Sequence, residues 1–115
     1  MVISLLNCYG PYNNRENFWD SVVRGGLLKQ PNLVLAGDLN LTLNCSEVWG
    51  KKACSDPLGP YFTHLFSSLQ LVDIAPGSAG PTWRNGCSGD DGISKRLDRF
   101  LLSSNLLEHL SLYRA

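Results

Sequence analysis

The sequence predicts an α/β or α+β domain, because strand-like and helix-like stretches alternate along its 115 residues. The composition of 43% hydrophobic and 17% charged residues is that of an ordinary globular chain, and its length fits one small domain. Three of the apolar stretches end or begin at polar side chains. We therefore expect a functional site where these stretches meet.

The first half of the chain contains two predicted strands with a helix between them. Residues 2–7 form a continuous apolar run, as expected for a central strand that is covered on both faces. Residues 15–28 predict a helix, and its apolar stripe includes Phe18 and Val22. Residues 33–36 predict a second buried strand.

The second half begins with residues 41–57, whose mixed polar and turn signals predict an excursion over the surface. The clearest helix of the chain follows Pro57 or Pro60. Its apolar residues recur at helical spacing: Phe62, Leu65, Phe66 and Leu69. Shorter signals predict the remaining elements: extended pieces at 71–74 and 82–84, turns at 75–77, 85–86 and 89–92, a strand at 94–103, a helical turn at 105–110 and the start of another strand at 110–113.

Charge and cysteine usage exclude several classes of protein. Ten basic and ten acidic side chains cancel, so no bulk positive field argues for nucleic-acid binding. No apolar run approaches the roughly 20 residues of a membrane helix, and no signal peptide is recognisable. The four cysteines contain no CxxC pair, and the two histidines do not fall at zinc-finger spacing. We expect an intracellular protein, nuclear or cytoplasmic and not secreted, with unpaired thiols and no membrane partner.

The most informative motif is Gly37-Asp38-Leu39-Asn40, which directly follows the apolar run 33–36. It places a carboxylate and a carboxamide two residues apart at the end of a buried strand. If the strand geometry persists, Asp38 and Asn40 point to the same side. The same residues could instead form a plain strand-ending turn, since Gly, Asp and Asn are all favoured there.

Four segments in a fixed order carry a resemblance to a known family: Asn7-Cys8-Tyr9-Gly10-Pro11-Tyr12, Gly37-Asp38-Leu39-Asn40, Pro81-Thr82-Trp83 and Ser94-Lys95-Arg96-Leu97-Asp98-Arg99-Phe100-Leu101-Leu102-Ser103. Through them the chain resembles the endonuclease/exonuclease/phosphatase superfamily, which includes deoxyribonuclease I and the endonuclease domains of non-long-terminal-repeat retrotransposons. Two features look most like the plant retroelement endonucleases: the segment Tyr9-Gly10-Pro11-Tyr12, and Arg99 after Asp98. The resemblance implies the four-layer α/β/β/α sandwich of the deoxyribonuclease I-like fold.

The resemblance also implies a role for each matching residue. Asp38 would polarise the water that attacks phosphorus, and Asn40 would hold the scissile phosphate or a metal-bound water. Tyr9 would contact the phosphate from the neighbouring strand, and Asp98 would orient the family's catalytic histidine. Further substrate contacts would come from Asn7, Trp83 and Arg96. The implied cofactor is Mg²⁺, with Mn²⁺ as a substitute, and the implied partner is DNA; no obligate protein partner can be inferred.

The physical chemistry of the reaction agrees with these roles. A phosphodiester is anionic and unreactive, so its hydrolysis needs a divalent metal to screen charge and a carboxylate to position water. Carboxylate and amide oxygens suit a hard ion such as Mg²⁺.

Several of these residues also have a purely structural interpretation. Tyr9 could be a half-buried strand aromatic, and Trp83 could belong to the core. Asp98 lies between two arginines and could form a surface ion pair of little worth. Glu47 could be a second carboxylate near the site, but the sequence assigns it no role.

The departures from the family pattern are as informative as the matches. Family enzymes carry an Asn and a metal-binding Glu on strands before the segment equivalent to residues 2–6, and a Ser-Asp-His segment after the point equivalent to Ala115. Neither is present, so residues 1–115 are expected to form a single partial domain that lacks its N-terminal strands and its C-terminal strand. Tyr12 also stands where many family members have an Asn.

The predicted function is therefore a metal-dependent phosphodiester hydrolase, a DNA endonuclease of the retroelement type, that is inactive as this fragment. One alternative is a phosphatase or lipid-phosphate hydrolase of the same superfamily. Another is a noncatalytic remnant that at most binds nucleic acid.

Overall fold

The computed structural model describes residues 1–74 and 80–110. The turn expected at 75–77 lies outside these residues, as does all but the first residue of the strand expected at 110–113. The helices are α1 (Arg15–Arg24), α2 (Gly59–Ser68) and α3 (Ser104–Leu110). The strands are β1 (Ser4–Asn7), β2 (Leu33–Asp38), β3 (Val48–Trp49), β4 (Leu71–Asp73), β5 (Trp83–Arg84), β6 (Ser94–Lys95) and β7 (Asp98–Ser103).

The strands form two sheets. The larger sheet has the order β1-β2-β7-β4, in which β1 runs parallel to β2 while β7 is antiparallel to β2 and β4. The smaller sheet has the order β3-β6-β5 and is antiparallel. This mixture of helices with parallel and antiparallel strands confirms the predicted α/β (α+β) class.

The core lies between helices α1 and α2 and one face of the larger sheet. Trp19 of α1 is fully buried, and its ring meets those of Phe62 and Phe66 of α2 edge-on, at centroid distances of 6.2 and 6.1 Å. Leu35 and Leu101, which are register partners on β2 and β7, supply the sheet side of this core. The helical spacing of the apolar residues correctly predicted α2, which has Pro60 in its first turn.

The opposite face of the same sheet is uncovered among the described residues. Leu5, Val34, Leu102 and Val72 are register partners across all four strands and form one apolar row on this face. Leu5 is 72% exposed, and Phe100, which lies on the same face, is 59% exposed. The expectation that the first strand is central and covered on both faces is therefore wrong. Strand β1 is an edge strand, and the described helices cover one side of it.

Two other expectations need correction. The predicted strand at 94–103 is divided between the two sheets, because β6 ends at Lys95 and β7 begins at Asp98. The predicted surface excursion at 41–57 sends several residues inward instead. Its buried members are Leu41, Thr42, Glu47 and Val48.

The uncovered apolar face predicts that the chain self-associates in solution, since large exposed apolar patches promote association. Replacing Leu5 and Phe100 together by threonine, which suits an exposed strand position, should shift the size distribution measured by light scattering toward the monomer. The melting temperature should change little, because neither side chain belongs to the core. Leu35→Thr is the contrasting variant: it should lower the melting temperature and leave the association unrelieved. A monodisperse wild-type monomer with a sharp, reversible transition would refute this prediction.

Candidate functional site

Two carboxylates from adjacent strands face each other on the uncovered face of the larger sheet. Asp38 ends β2, Asp98 begins β7, and the two are register partners. The amide of Leu39 donates to the carbonyl of Leu97 at 3.0 Å. Leu39 and Leu97 are thus a hydrogen-bonded pair. The partners next to them, Asp38 and Asp98, are therefore a non-hydrogen-bonded pair, and the Cα atoms of such a pair lie about 4.5 Å apart. Such pairs bring side chains close together.

Tyr9 lies beside Asp38 on a third strand segment. The parallel ladder of β1 and β2 continues beyond Asn7, because the amides of Cys8 and Gly10 donate to the carbonyls of Ala36 and Asp38, both at 2.8 Å. Exposure alternates along this segment, and Tyr9 is 74% exposed on the same side as Asn7. The structure therefore brings Tyr9, Asp38 and Asp98 into one row, and Asn7 lies one row away, paired with Ala36.

Two glycines allow the strands to approach closely at this row. A Cβ on Gly37, whose φ is +130°, would lie 2.1 Å from the carbonyl oxygen of Cys8. A Cβ on Gly10 would lie 2.0 Å from the carbonyl oxygen of Leu39. Any side chain at either position would push the first strand away from Asp38.

Asn40 is held in a turn and does not continue the strand. Its φ is +53°, and β2 ends two residues earlier, so the strand geometry that would point Asp38 and Asn40 to the same side does not persist. The Asn40 amide instead donates to Oδ1 of Asp38 at 3.0 Å, a turn that Asp favours. The Asn40 side chain is buried and donates from Nδ2 to the carbonyl of Gly10. Asn40 thus joins the two segments that carry Asp38 and Tyr9.

Thr82 is a contact residue that sequence reasoning did not single out. Its hydroxyl oxygen accepts hydrogen bonds from the amides of Leu97, at 2.9 Å, and Asp98, at 3.1 Å. Its place in the Pro81-Thr82-Trp83 motif was the only available signal. The neighbouring Trp83 is half-buried, and Nζ of Lys95 lies 5.8 Å from the centre of its ring. Substrate stacking by Trp83 stays a prediction.

Arg96 is not a free surface cation. Arg96 is 5% exposed and Arg99 is 1% exposed, and both bind Glu47 and Asp73 in what we term the buried ion cluster, Glu47, Asp73, Arg96 and Arg99. Arg96 reaches Glu47 at 2.8 Å and makes a bidentate contact with Asp73 at 3.0 and 3.1 Å. Substrate contact by Arg96 stays a prediction, and the structure shows this side chain engaged elsewhere.

Arg99 completes the buried ion cluster. Its Nη1 donates to Asp73 at 2.7 Å, and its Nη2 donates to Glu47. Within the described residues, Asp98 takes no part in these ion pairs, so its carboxylate is not the partner of the two arginines that flank it.

The charges of the cluster shift the pKa values of Glu47 and Arg96. Burial on its own would raise the pKa of Glu47, but hydrogen bonds from Arg99, the Leu43 amide and Arg96 outweigh it and lower that pKa below its usual value. Burial likewise acts to lower the pKa of Arg96, and its contacts with Asp73 and Glu47 raise it overall. Both residues are therefore held in their charged forms at neutral pH.

A cleft of about 470 Å³ opens on the uncovered face next to the row of polar residues. Its lining includes Asn7, Thr82, Arg96, Asp98 and Phe100. This volume is in the range of small-ligand sites.

The described residues do not form a complete metal centre. Among residues 1–74 and 80–110, no group of three or more His, Cys, Asp or Glu side chains is placed to hold an ion. Asp38 and Asp98 supply two carboxylates, a donor chemistry that suits Mg²⁺ but that needs ligands from elsewhere. In the same ranges no helix has both the length and the hydropathy to cross a membrane.

Comparison with known proteins identifies the fold. No protein-family model and no curated protein matches the sequence. A solved structure does match: the endonuclease domain of TRAS1, a telomere-specific non-LTR retrotransposon, with a TM-score of 0.66 and 19% sequence identity. The match covers 92% of this chain and 47% of that domain, so the chain spans about half the length of its structural neighbour. The chain thus has the α/β fold of an endonuclease domain over the part that the two share.

The close approach at Gly37 predicts that Gly37→Ala destabilises the protein by at least about 2 kcal/mol, because the substitution combines backbone strain with a clash against a carbonyl oxygen. Gly80→Ala is the matched control: a Cβ there has no atom within 4 Å and its φ is not in the left-handed region. The control should change the free energy of unfolding by less than about 0.5 kcal/mol. Equal effects of both variants in urea unfolding would contradict the close-approach account.

The lowered pKa of Glu47 predicts a specific acid sensitivity. Its ion pairs contribute stability that is fully present above the unfolded-state pKa of about 4.3 and is lost as pH falls through the lower folded-state pKa. The free energy of unfolding should therefore fall more steeply in the wild type than in Glu47→Gln as pH drops below about 4.3. Parallel curves for the two proteins from pH 6 downward would show that Glu47 is not held ionised by the two arginines.

Proposed function

We propose that this chain is part of a metal-dependent DNA endonuclease of the retroelement type. The observation that carries the proposal is the row formed by Tyr9, Asp38 and Asp98, three polar residues from adjacent strands on one exposed face. The fold shared with a retrotransposon endonuclease domain supports it. Each residue of the row belongs to one of the segments that carry the resemblance to the superfamily, Tyr9 to the first, Asp38 to the second and Asp98 to the fourth. We also propose the plant retroelement type, on the resemblance of residues 9–12 and of Arg99 after Asp98.

Within the proposed site, each residue has a separate task. One carboxylate oxygen of Asp38 accepts a hydrogen bond from the backbone amide of Asn40, which fixes the carboxylate. Asp38 can therefore orient a water molecule for attack on phosphorus. Tyr9 is exposed and presents a neutral donor that can hold the phosphate. Asp98 forms no ion pair with Arg96 or Arg99, which bind Glu47 and Asp73. Its carboxylate is thus available to orient a further catalytic group.

The charges of the row explain why a cation is needed. Asp38 and Asp98 place two carboxylates side by side, and an anionic phosphodiester does not approach them without positive charge. The guanidinium groups of Arg96 and Arg99, which lie beside Asp98 in the sequence, are already paired with Glu47 and Asp73. Bound Mg²⁺ would screen this charge and polarise the phosphate. Because the described residues offer too few ligands, we propose that a complete site draws on further segments of a full domain.

The experiment compares the 115-residue chain with the same chain joined to the flanking segments of a complete domain, including the Glu and the Ser-Asp-His segment. The chain alone should not detectably nick supercoiled plasmid with Mg²⁺ or Mn²⁺, because groups that act as a unit fail together. The complete domain should nick it. Asp38→Ala in the complete domain should lower the rate at least about a hundredfold, the loss typical of a missing general base.

Asp90→Ala is the matched control, since Asp90 is exposed and pairs with Lys51 away from the row. Full nicking by the complete domain after Asp38→Ala would refute the role given to Asp38. Nicking by the chain alone that is sensitive to Asp38→Ala would refute the need for the other segments. Hydrolysis of a phosphomonoester but not of plasmid would favour the phosphatase alternative, and binding of DNA without any hydrolysis by the complete domain would favour the noncatalytic remnant.

A further inference from the structure

The chain passes from the smaller sheet to the larger one at a corner formed by Arg96 and Leu97. Strand β6 ends just before this corner, and β7 begins just after it, at Asp98. Regular strand alternation fails here, because Arg96 and Leu97 are both buried while Asp98 is exposed and Arg99 is buried again. Corners at which a strand changes sheets need a local bend of this kind.

The buried ion cluster holds this corner from both sides. One carboxylate oxygen of Glu47 accepts a hydrogen bond from Arg96, and the other accepts one from Arg99. The backbone takes part as well, since the Arg96 amide donates to the carbonyl of Glu47 at 3.1 Å and Arg99 Nη2 donates to the carbonyl of Arg96 at 3.3 Å. Glu47 therefore contacts the residues before and after Leu97 and Asp98 at the same time.

The geometry of the corner decides which residue faces the candidate site. Side chains alternate along a strand, so a slip of one residue would turn Asp98 inward and bring a neighbour out. Such a slip would carry Arg99 to the exposed face and leave the buried carboxylate of Glu47 without this partner. Removing one partner of a buried ion pair is strongly unfavourable. Pairing with Glu47 thus selects the register in which Asp98 lies opposite Asp38.

We propose that Glu47 is a positioning residue of the candidate site, which acts through Arg96 and Arg99 to fix Asp98 against Asp38. The catalytic meaning of this placement rests on the proposed function, but the placement itself does not. A test that reads distance instead of activity therefore keeps the two claims separate.

The test traps the Asp38–Asp98 pair as a disulfide. Cysteines at a non-hydrogen-bonded antiparallel pair have a Cα separation suitable for a disulfide. The trap is Asp38→Cys with Asp98→Cys in the 115-residue chain, after the four native cysteines have been replaced by alanine. Val34→Cys with Leu102→Cys is the matched control trap, since these partners lie four residues along the same two strands and are again a non-hydrogen-bonded pair. The quantity measured is the rate of disulfide formation in the 38/98 trap divided by the rate in the 34/102 control trap.

Glu47→Gln, which keeps the shape of the side chain but removes its charge, should lower this ratio about tenfold, the factor expected when a hydrogen bond between charged groups is lost. Asp73→Asn should also lower this ratio, because it removes a charge that pairs with both arginines. Asp56→Asn is the control substitution, because Asp56 pairs with Arg15 away from the corner, and it should leave the ratio unchanged.

A ratio that stays constant in Glu47→Gln and Asp73→Asn would overturn the proposal. If both oxidation rates fell together, the cluster would be a general stabiliser of the fold. If neither rate changed, the cluster would not influence the placement of Asp98. A ratio that falls equally in Asp56→Asn would overturn it as well. None of these results depends on whether the chain or the complete domain cleaves DNA.

Discussion

The buried ion cluster is the constraint on which the rest of the candidate site depends. Two guanidinium groups enter the interior and must be neutralised there, since an unpaired buried charge is far more costly than a buried pair. Their carboxylates come from separate parts of the chain: Glu47 lies just before β3, and Asp73 ends β4. The cluster therefore ties both sheets together at the point where the chain crosses between them. A buried ion pair is weak evidence for stability, and its better-attested use is to specify one arrangement among several.

This arrangement also sets the electrostatics of the exposed face. Because Arg96 and Arg99 are matched by Glu47 and Asp73, the flanking arginines do not neutralise Asp98. The row therefore keeps a negative charge beside a cleft of about 470 Å³. A negatively charged surface binds a cation and repels a phosphate unless a cation is already bound. The proposed metal dependence therefore follows from the pairing of Arg96 and Arg99 with Glu47 and Asp73, which also holds the corner between the two sheets.

The sequence predicted those features that depend on local pattern. Helix α2 and strand β2 were predicted correctly because helical spacing and a compact apolar run are signals contained within each segment. The meeting of Asp38, Tyr9 and Asp98 followed from motifs, and the structure places them in one row. The exposure of β1 could not be predicted, since an apolar run does not reveal how many layers cover it. The role of Glu47 could not be predicted either, because its partners lie 49 and 52 residues away along the chain.

The central claim is that the corner at Arg96 and Leu97 places Asp98 directly opposite Asp38. The most direct measurement is the cross-strand nuclear Overhauser effect between the Hα protons of these two residues in isotope-labelled protein, since these protons approach closely in a non-hydrogen-bonded antiparallel pair. We expect a strong Hα–Hα effect between Asp38 and Asp98, and another between Ala36 and Phe100, the next such pair. A strong effect from Asp38 to Leu97 or Arg99 in its place would show a different register and would contradict the account.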